Sequence, residues 1–296
     1  MSHRRSSCPV CRATRLAAVR HFGDADLVRC ATCGFVCSGA IPGTPELERW
    51  YARYSRCEAI SPVTLARYDE LLESFEGNRR TNRLFDLGCG NGHFLVAARG
   101  HGWTVRGTEL SPDAMSICRA KGIPTSRAPF ASDHEDRGSF DVVTAFEVVE
   151  HLRDPRMELE QAVSLLRPGG ILYVTTPNFD ALGRRLLRER WRIVQYPEHL
   201  AYFSAETLDL MLRTLGLRRL SLKSTGASVD DLCRGAMRGR ASPAGGASPP
   251  ARARDEALRR SIQASPWLRR GARALDRAFT RLGVGDTLKA TYRREP

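Results

Sequence analysis

Lysine is almost missing from this 296-residue sequence: only Lys121, Lys223 and Lys289 occur, and arginine supplies the rest of its 46 positive charges. No lysine stands inside a glycine-rich loop, which excludes the phosphate-binding loop of nucleoside triphosphatases. No run of about 18 apolar residues occurs, so no membrane-spanning helix is expected. The opening residues, Met1 to Arg5, lead into Cys8 and Pro9 rather than an apolar stretch, so no secretory leader is expected. Internal repeats are absent too. Nine cysteines are an odd number, and most stand in contexts unlike a disulfide framework, which points to a reducing, cytoplasmic setting. The formal charge of +13 permits acidic partners. The basic residues are dispersed, however, and no interleaved aromatic-basic motif accompanies them. Nucleic acid is therefore the disfavoured partner, and the excess reads as a compositional preference for arginine.

What is present begins with cysteine. Cys8 and Cys11 form one C-x2-C pair, Cys30 and Cys33 a second, with eighteen residues between them. Two such turns supply the four soft ligands that tetrahedral Zn²⁺ prefers, and the spacing is that of a zinc ribbon. Four protein ligands close the site, so the ion is expected to be structural: a segment this short holds little core without it. Cys37 is left over and reads as a packing residue.

The second signal runs from Arg83 to Phe94. Leu84, Phe85 and Leu87 form a short apolar strand, Gly88, Gly90 and Gly92 a tight turn, and Phe94, Leu95, Ala97 and Ala98 the start of a helix. This order opens a doubly wound α/β sheet. A dinucleotide fingerprint would be G-x-G-x-x-G. Here the third glycine comes one residue early and His93 takes its place, which argues against a pyrophosphate-bearing ligand. Thr104 to Glu109 forms the next strand, and its terminal carboxylate stands seventeen residues after Gly92. A carboxylate there suits the two hydroxyls of a ribose through charge-assisted hydrogen bonds.

From these motifs the sequence resembles the class I methyltransferases, specifically a small-molecule branch with an N-terminal zinc knuckle. The resemblance runs from Cys8 to about Lys223 and resumes in a final strand near the C-terminus. It implies a mostly parallel seven-stranded sheet and S-adenosylmethionine as cofactor. The loop Asp86, Gly88, Gly90, Gly92 matches the segment that wraps the amino-acid part of that cofactor. The cofactor-binding set is then Asp86, Gly88, Cys89, Gly90, Gly92, Glu109, Leu110, Phe130 and Glu147. Family members often carry an acid beside the adenine; here Arg127-Ala128-Pro129-Phe130 stands instead, with Phe130 as the candidate for the ring.

Phe140 to Phe146 reads as a buried strand, followed by Glu147-Val148-Val149-Glu150-His151. If this run starts a helix, Glu147, Glu150 and His151 share one face. A similar E-x-x-E-H run is implicated in divalent-cation binding in ubiquinone-pathway O-methyltransferases. Similar runs also occur in metal-free relatives, and the cation is the less favoured reading. Further on, aromatics and the run Pro197-Glu198-His199-Leu200 suit a small-molecule pocket. His199 and His151 are the candidate catalytic bases.

The expected organisation is a zinc ribbon over 1–40, a helical lid over 41–80, a methyltransferase core over 81–224, a basic insertion over 225–283 and a final core strand over 284–296. The insertion pairs a flexible link with an amphipathic helix bearing Leu268, Ala272, Leu275, Phe279 and Leu282. That helix packs on its own domain or touches an anionic membrane. The function these readings imply is methyl transfer to a small-molecule acceptor, with oxygen favoured over carbon or nitrogen. The rival classes are a nucleic-acid-binding protein that uses the ribbon and a non-catalytic cofactor-binding regulator.

Overall fold

A computed structural model describes residues 3–19, 22, 25–51, 60–127, 136–188, 191, 193–226 and 265–296. Five short strands come first: β1 (His3–Arg4), β2 (Leu16–Ala18), β3 (Leu27–Cys30), β4 (Val36–Ser38) and β5 (Ala40–Ile41). Helices α1 (Thr44–Tyr51) and α2 (Pro62–Phe75) follow. An alternating stretch comes next: β6 (Arg83–Leu87), α3 (His93–Gly100), β7 (Thr104–Thr108), α4 (Pro112–Ala120), β8 (Thr125–Ser126), β9 (Phe140–Phe146), α5 (Pro155–Leu165), β10 (Leu166–Pro177) and α6 (Leu182–Leu187). The described chain finishes with β11 (Ala201–Tyr202), α7 (Ala205–Thr214), β12 (Leu217–Thr225), α8 (Pro266–Leu282) and β13 (Thr287–Arg294).

Seven strands form one sheet in the order β12-β13-β10-β9-β6-β7-β8. Strands β6 to β10 are mutually parallel, and β13 runs antiparallel between β10 and β12. This is the mostly parallel seven-stranded sheet that the family resemblance implies. The two-residue period of the strands distributes the core. Leu84, Val142, Ile171 and Tyr173 face α3 with Leu95 and Ala98. Their neighbours Phe85, Val143, Leu172 and Val174 face the opposite way, towards Leu159 and Ala162 of α5 and Leu208 and Met211 of α7. Strands covered on both faces read as near-continuous apolar runs, which is what β9 shows.

A buried carboxylate pins the leading edge of this sheet. Asp141 at the start of β9 accepts from the backbone N–H groups of Arg80, Thr81 and Asn82, each at 2.8 Å, and from Arg167 Nε at 2.6 Å. Burial alone would lift its pKa, but the Arg167 bond and the amides of Arg80 and Asn82 outweigh burial and hold it below the usual carboxylate range. Its place in an apolar strand is the only trace of this role in the sequence.

The cysteine-bearing region is less separate than its spacing suggests. Its four-stranded sheet has the order β11-β4-β3-β2, so one edge strand comes from beyond β10. Cys37 pairs with Ala201 and Val36 with Tyr202. Phe35 packs on Phe203 with ring centroids 4.9 Å apart, and both lie in an apolar cluster continuous with the main sheet. Arg156 on α5 donates to the carbonyls of Pro9 at 3.2 Å and Val10 at 2.7 Å. Part of the ribbon's core is thus supplied by the α/β domain.

Helix α8 covers the predicted amphipathic segment. Its last turn docks on β12, where Ser224 Oγ donates to the Phe279 carbonyl and Thr280 Oγ1 donates to the Ser224 carbonyl. The side chains of Leu268, Ala272 and Leu275, and the link over 227–264, lie outside the described residues. No helix among the described residues is long and apolar enough to cross a membrane.

Candidate active site

The strand order reverses between β6 and β9, and open α/β sheets bind ligands at the carboxyl ends of the strands beside such a reversal. The glycine turn after β6 lies there. Gly88, Gly90 and Gly92 have φ of 67°, 55° and 73°, a region that side chains other than glycine rarely adopt. A Cβ on Gly88 would meet Val148 Cγ2 at 2.6 Å, and one on Gly92 would meet Cys118 Sγ at 2.9 Å. The loop therefore needs glycine both for its φ values and for the close approach of its neighbours.

Two carboxylates frame this loop. Glu109, just past the end of β7, accepts from the Gly90 amide through Oε2 and from the Leu110 and Ser111 amides through Oε1, all at 2.8 Å. Asp86 in β6 is buried and accepts from Thr144 Oγ1 at 2.7 Å, a bond that spans the strand reversal. Burial pushes the Asp86 pKa up to about 8; the Thr144 bond opposes that rise and the nearby Glu109 charge adds to it. Leu110 is exposed beside Glu109. Cys89 turns the other way. Its amide donates to the Thr108 carbonyl at 2.8 Å and its thiol sits 4.0 Å from that of Cys118 in the core, so this member of the expected set shapes the loop from behind. Phe130 lies outside the described residues.

The segment after β9 departs from expectation. Glu147 to His151 does not open a helix; α5 begins only at Pro155, capped by Asp154. Glu147 has a φ of 51° and its amide donates to both the carbonyl and Oγ1 of Thr175. This left-handed turn replaces the shared helical face. Glu147 is exposed to solvent yet hemmed in by protein, and desolvation raises its pKa. Glu150 turns inward, with Oε2 accepting from Thr176 Oγ1 at 2.9 Å, and burial lifts its pKa well above the carboxylate range.

His199, from the segment before β11, completes a group that the E-x-x-E-H pattern does not contain. Metal-capable atoms of Glu150, His151 and His199 lie within 4.8 Å of one another, and Glu147 is not among them. The two rings meet edge to face at 4.7 Å. His151 Nδ1 donates to the Glu198 carbonyl at 2.8 Å and His199 Nδ1 to the Ile193 carbonyl at 2.6 Å. Burial, with the neighbouring His151, lowers the His199 pKa to about 3.

An aromatic wall went unread in the sequence. Tyr68 on α2 packs against Phe94 at 5.1 Å and Phe146 at 6.0 Å, and Phe146 against Tyr173 at 5.5 Å. Burial lifts the Tyr68 pKa to about 12, with Asp86 adding to the shift, so its hydroxyl stays protonated near the glycine loop. The expected helical lid over 41–80, which contains Tyr68, is its only sequence signal.

At the ribbon, Cys8 Sγ lies 3.6 Å from Cys33 Sγ and Cys11 Sγ 3.5 Å from Cys30 Sγ, all four within 4.8 Å of one another. Sulfurs bound at about 2.3 Å to a tetrahedral ion sit about 3.8 Å apart, so the donor set fits zinc. The turns are those of knuckles: the Arg12 amide donates to the Cys8 carbonyl and the Gly34 amide to the Cys30 carbonyl. Cys37 stays out of the group and is buried.

Comparison with known proteins adds the family. The methyltransferase domain family matches residues 51–222. The chain belongs to that family. Among curated relatives, the chain is 30% identical over 140 residues to a ubiquinone biosynthesis O-methyltransferase of Bordetella avium, covering 44% of this chain and 56% of that protein. It is 35% identical over 103 residues to the protein of the same description from Xanthomonas campestris pv. campestris, covering 32% and 43%. The chain thus spans about half the length of the curated relatives it matches. Among solved structures, a SAM-dependent methyltransferase from Archaeoglobus fulgidus superposes with a TM-score of 0.51 at 18% identity, covering 85% of this chain and all of that one; at that identity the likeness concerns the fold. The family match begins after the cysteine ribbon and ends before α8 and β13.

Proposed function

We propose that this protein transfers a methyl group from S-adenosylmethionine to a small-molecule acceptor, with an oxygen atom as the favoured target. One observation carries the reading: a glycine loop at the strand reversal is clamped through its Gly90 amide by the carboxylate at the end of the neighbouring strand. Bound S-adenosylmethionine supplies an electrophilic methyl on a sulfonium centre. The chain's residues bind and align. Gly88, Gly90 and Gly92 let the backbone approach the methionine moiety, Glu109 receives the ribose hydroxyls, and Leu110 covers the adenine edge. Asp86 and the Tyr68 hydroxyl fix the floor, and Glu147 stands at the mouth where the acceptor enters.

Alignment and exclusion of water account for most of what such a site must do. Neither candidate base is free on both nitrogens, since His151 and His199 each commit Nδ1 to a backbone carbonyl. An imidazole with a pKa of about 3, as at His199, holds a transferred proton poorly at neutral pH. The ribbon holds one structural Zn²⁺ on Cys8, Cys11, Cys30 and Cys33. The similarity to ubiquinone biosynthesis O-methyltransferases supports a small-molecule acceptor.

Calorimetry with S-adenosylhomocysteine tests the reading. Wild type should bind and Gly90→Arg should not, with the melting temperature of the variant reported beside it. No binding by a folded wild type, or binding of NADH in its place, overturns the assignment. Elemental analysis should find the ribbon's zinc; a folded, metal-free protein refutes that part.

A further inference from the structure

We infer that Arg29, Arg184 and Arg185 form an anion site at the seam between the ribbon and α6, one that takes the phosphoryl group of a phosphomonoester. The site shares no residue with the glycine loop or with the segment after β9.

Three observations carry this. The first is register. Along β3, Val28 and Cys30 pack into the cluster of the main sheet, whereas Leu27 packs into a second cluster with Val36, Phe179 and Tyr202. Side chains alternate along a strand, so Arg29 lies on the Leu27 side. Arg29 pairs with Val36, and Val36 with Tyr202, which sets the three in one row across the ribbon sheet. Directly paired residues share a face. Phe179 packs on Tyr202 with ring centroids 5.6 Å apart, and the Arg184 guanidinium lies 4.4 Å over the Phe179 ring. Cations from β3 and from α6 thus border one aromatic cluster, although more than 150 residues separate them in the chain.

The second is an under-compensated charge. The Arg184 side chain is only 21% exposed, and Asp180 is its one carboxylate partner among the described residues, 3.8 Å away and itself half exposed. Arg184 Nε donates to the Phe179 carbonyl, so stacking and this bond together fix the plane of the guanidinium. Burial lowers the Arg184 pKa; Asp180 opposes that fall, and the charges of Arg29 and Arg185 add to it. Like charges held together in partial shelter from water repel, and an anion between them relieves the repulsion.

The third is the charge count. Three guanidiniums against one carboxylate leave two positive charges, which match a phosphate dianion better than a single carboxylate. The planar fork of arginine engages two phosphate oxygens at once. Arg29 and Arg185 are exposed, so a ligand reaches the site from solvent.

Helix α6 follows the carboxyl end of β10, the neighbour of β9 in the sheet, so the site lies at the same end of the sheet as the glycine loop. The last step rests on the methyl-transfer reading: the phosphate is then carried by the acceptor, and the arginines select which small molecules are taken. The anion site itself does not depend on that reading.

Inorganic phosphate is the probe. Calorimetric titration of the full-length, zinc-loaded protein at fixed ionic strength should show saturable binding of one phosphate. Acetate, with one charge instead of two, should bind at least roughly tenfold more weakly. Arg185→Gln alters an exposed position and should weaken phosphate binding by roughly tenfold or more. Arg184→Lys keeps the charge but loses the fork and should weaken it similarly, as should Arg29→Gln from the ribbon side. Arg270→Gln, exposed on α8, should leave it unchanged. Absence of saturable binding overturns the proposal, as do acetate binding as tight as that of phosphate, full affinity in Arg185→Gln and Arg29→Gln, or an equal loss in Arg270→Gln. S-adenosylhomocysteine calorimetry on the same samples separates the two readings: cofactor binding without phosphate binding defeats only the anion site, and phosphate binding without cofactor binding defeats only the methyl-transfer assignment.

Discussion

On the proposed reading, the four-cysteine ribbon and the cofactor cleft solve the same problem, holding a small guest, by opposite means. In the ribbon, side chains do the holding: four sulfurs converge from two knuckles, and the residue types are dictated by the ion. In the cleft, backbone does much of it: three left-handed glycines make the loop, and Glu109 grips the Gly90, Leu110 and Ser111 amides. A site made of side chains is defined by identities and tolerates little change in them. A site made of backbone is defined by conformation, so its sensitivity lies where a Cβ cannot fit. The two meet at β11, whose outer neighbour is β4 of the ribbon and whose preceding residue, Leu200, is bonded to the Glu150 carbonyl.

Breaking the ribbon should have the largest effect. Cys30→Ser removes one of four thiolates, and structural zinc supplies on the order of 10 kcal/mol of folding free energy to small domains. Zinc content should fall, and hydrogen exchange should rise both at 27–38 and across 200–203, because β4 and β11 share hydrogen bonds. Exchange confined to the ribbon would show that the two regions are independent.

Asp141→Asn comes next, at the base of the cleft's central strands. Removing a buried partner of Arg167 should cost about 3–5 kcal/mol, seen as a lower melting temperature. The sign of its pH dependence follows from a folded-state pKa held below the ordinary value. The stabilisation is present above the unfolded carboxylate pKa and is lost as pH falls through the folded one. The stability gap between wild type and Asp141→Asn should therefore shrink in acid; a gap that stays constant would contradict the assigned ion pair.

Gly88→Ala sharpens the backbone side of the comparison. A positive φ at a residue with a side chain costs roughly 1–3 kcal/mol, and its Cβ would press on Val148. Cofactor affinity should drop more steeply than stability. Equal affinity in a stable variant would mean that the loop is not the binding element.

Arg156→Ala is the smallest probe and the most local. It removes two donors from knuckle carbonyls, worth about 1–2 kcal/mol for a partly exposed charged donor. Zinc content should be retained while melting shifts slightly, which separates docking of the ribbon from its folding.

What the sequence reveals follows the same division. The knuckles and the glycine loop are local patterns, so C-x2-C spacing and G-x-G-x-G were readable directly. Strand β9 was readable to the residue, because a central parallel strand buries both faces and leaves an unbroken apolar run. The helical face of Glu147, Glu150 and His151 failed because Glu147 takes a left-handed φ, which spacing alone does not disclose. The joining of His199 to Glu150 depends on contacts between distant segments, as does the two-residue strand β11 that completes the ribbon sheet. Asp141 was invisible for a related reason: its partners are backbone amides and an arginine brought in by the fold.

A crystal structure grown with S-adenosylhomocysteine tests the central claim most directly. The account predicts the ligand's amino-acid end against Gly88, Gly90 and Gly92, with its ribose hydroxyls on Glu109. A ligand bound elsewhere, with Glu109 still turned wholly to its own loop, would contradict it.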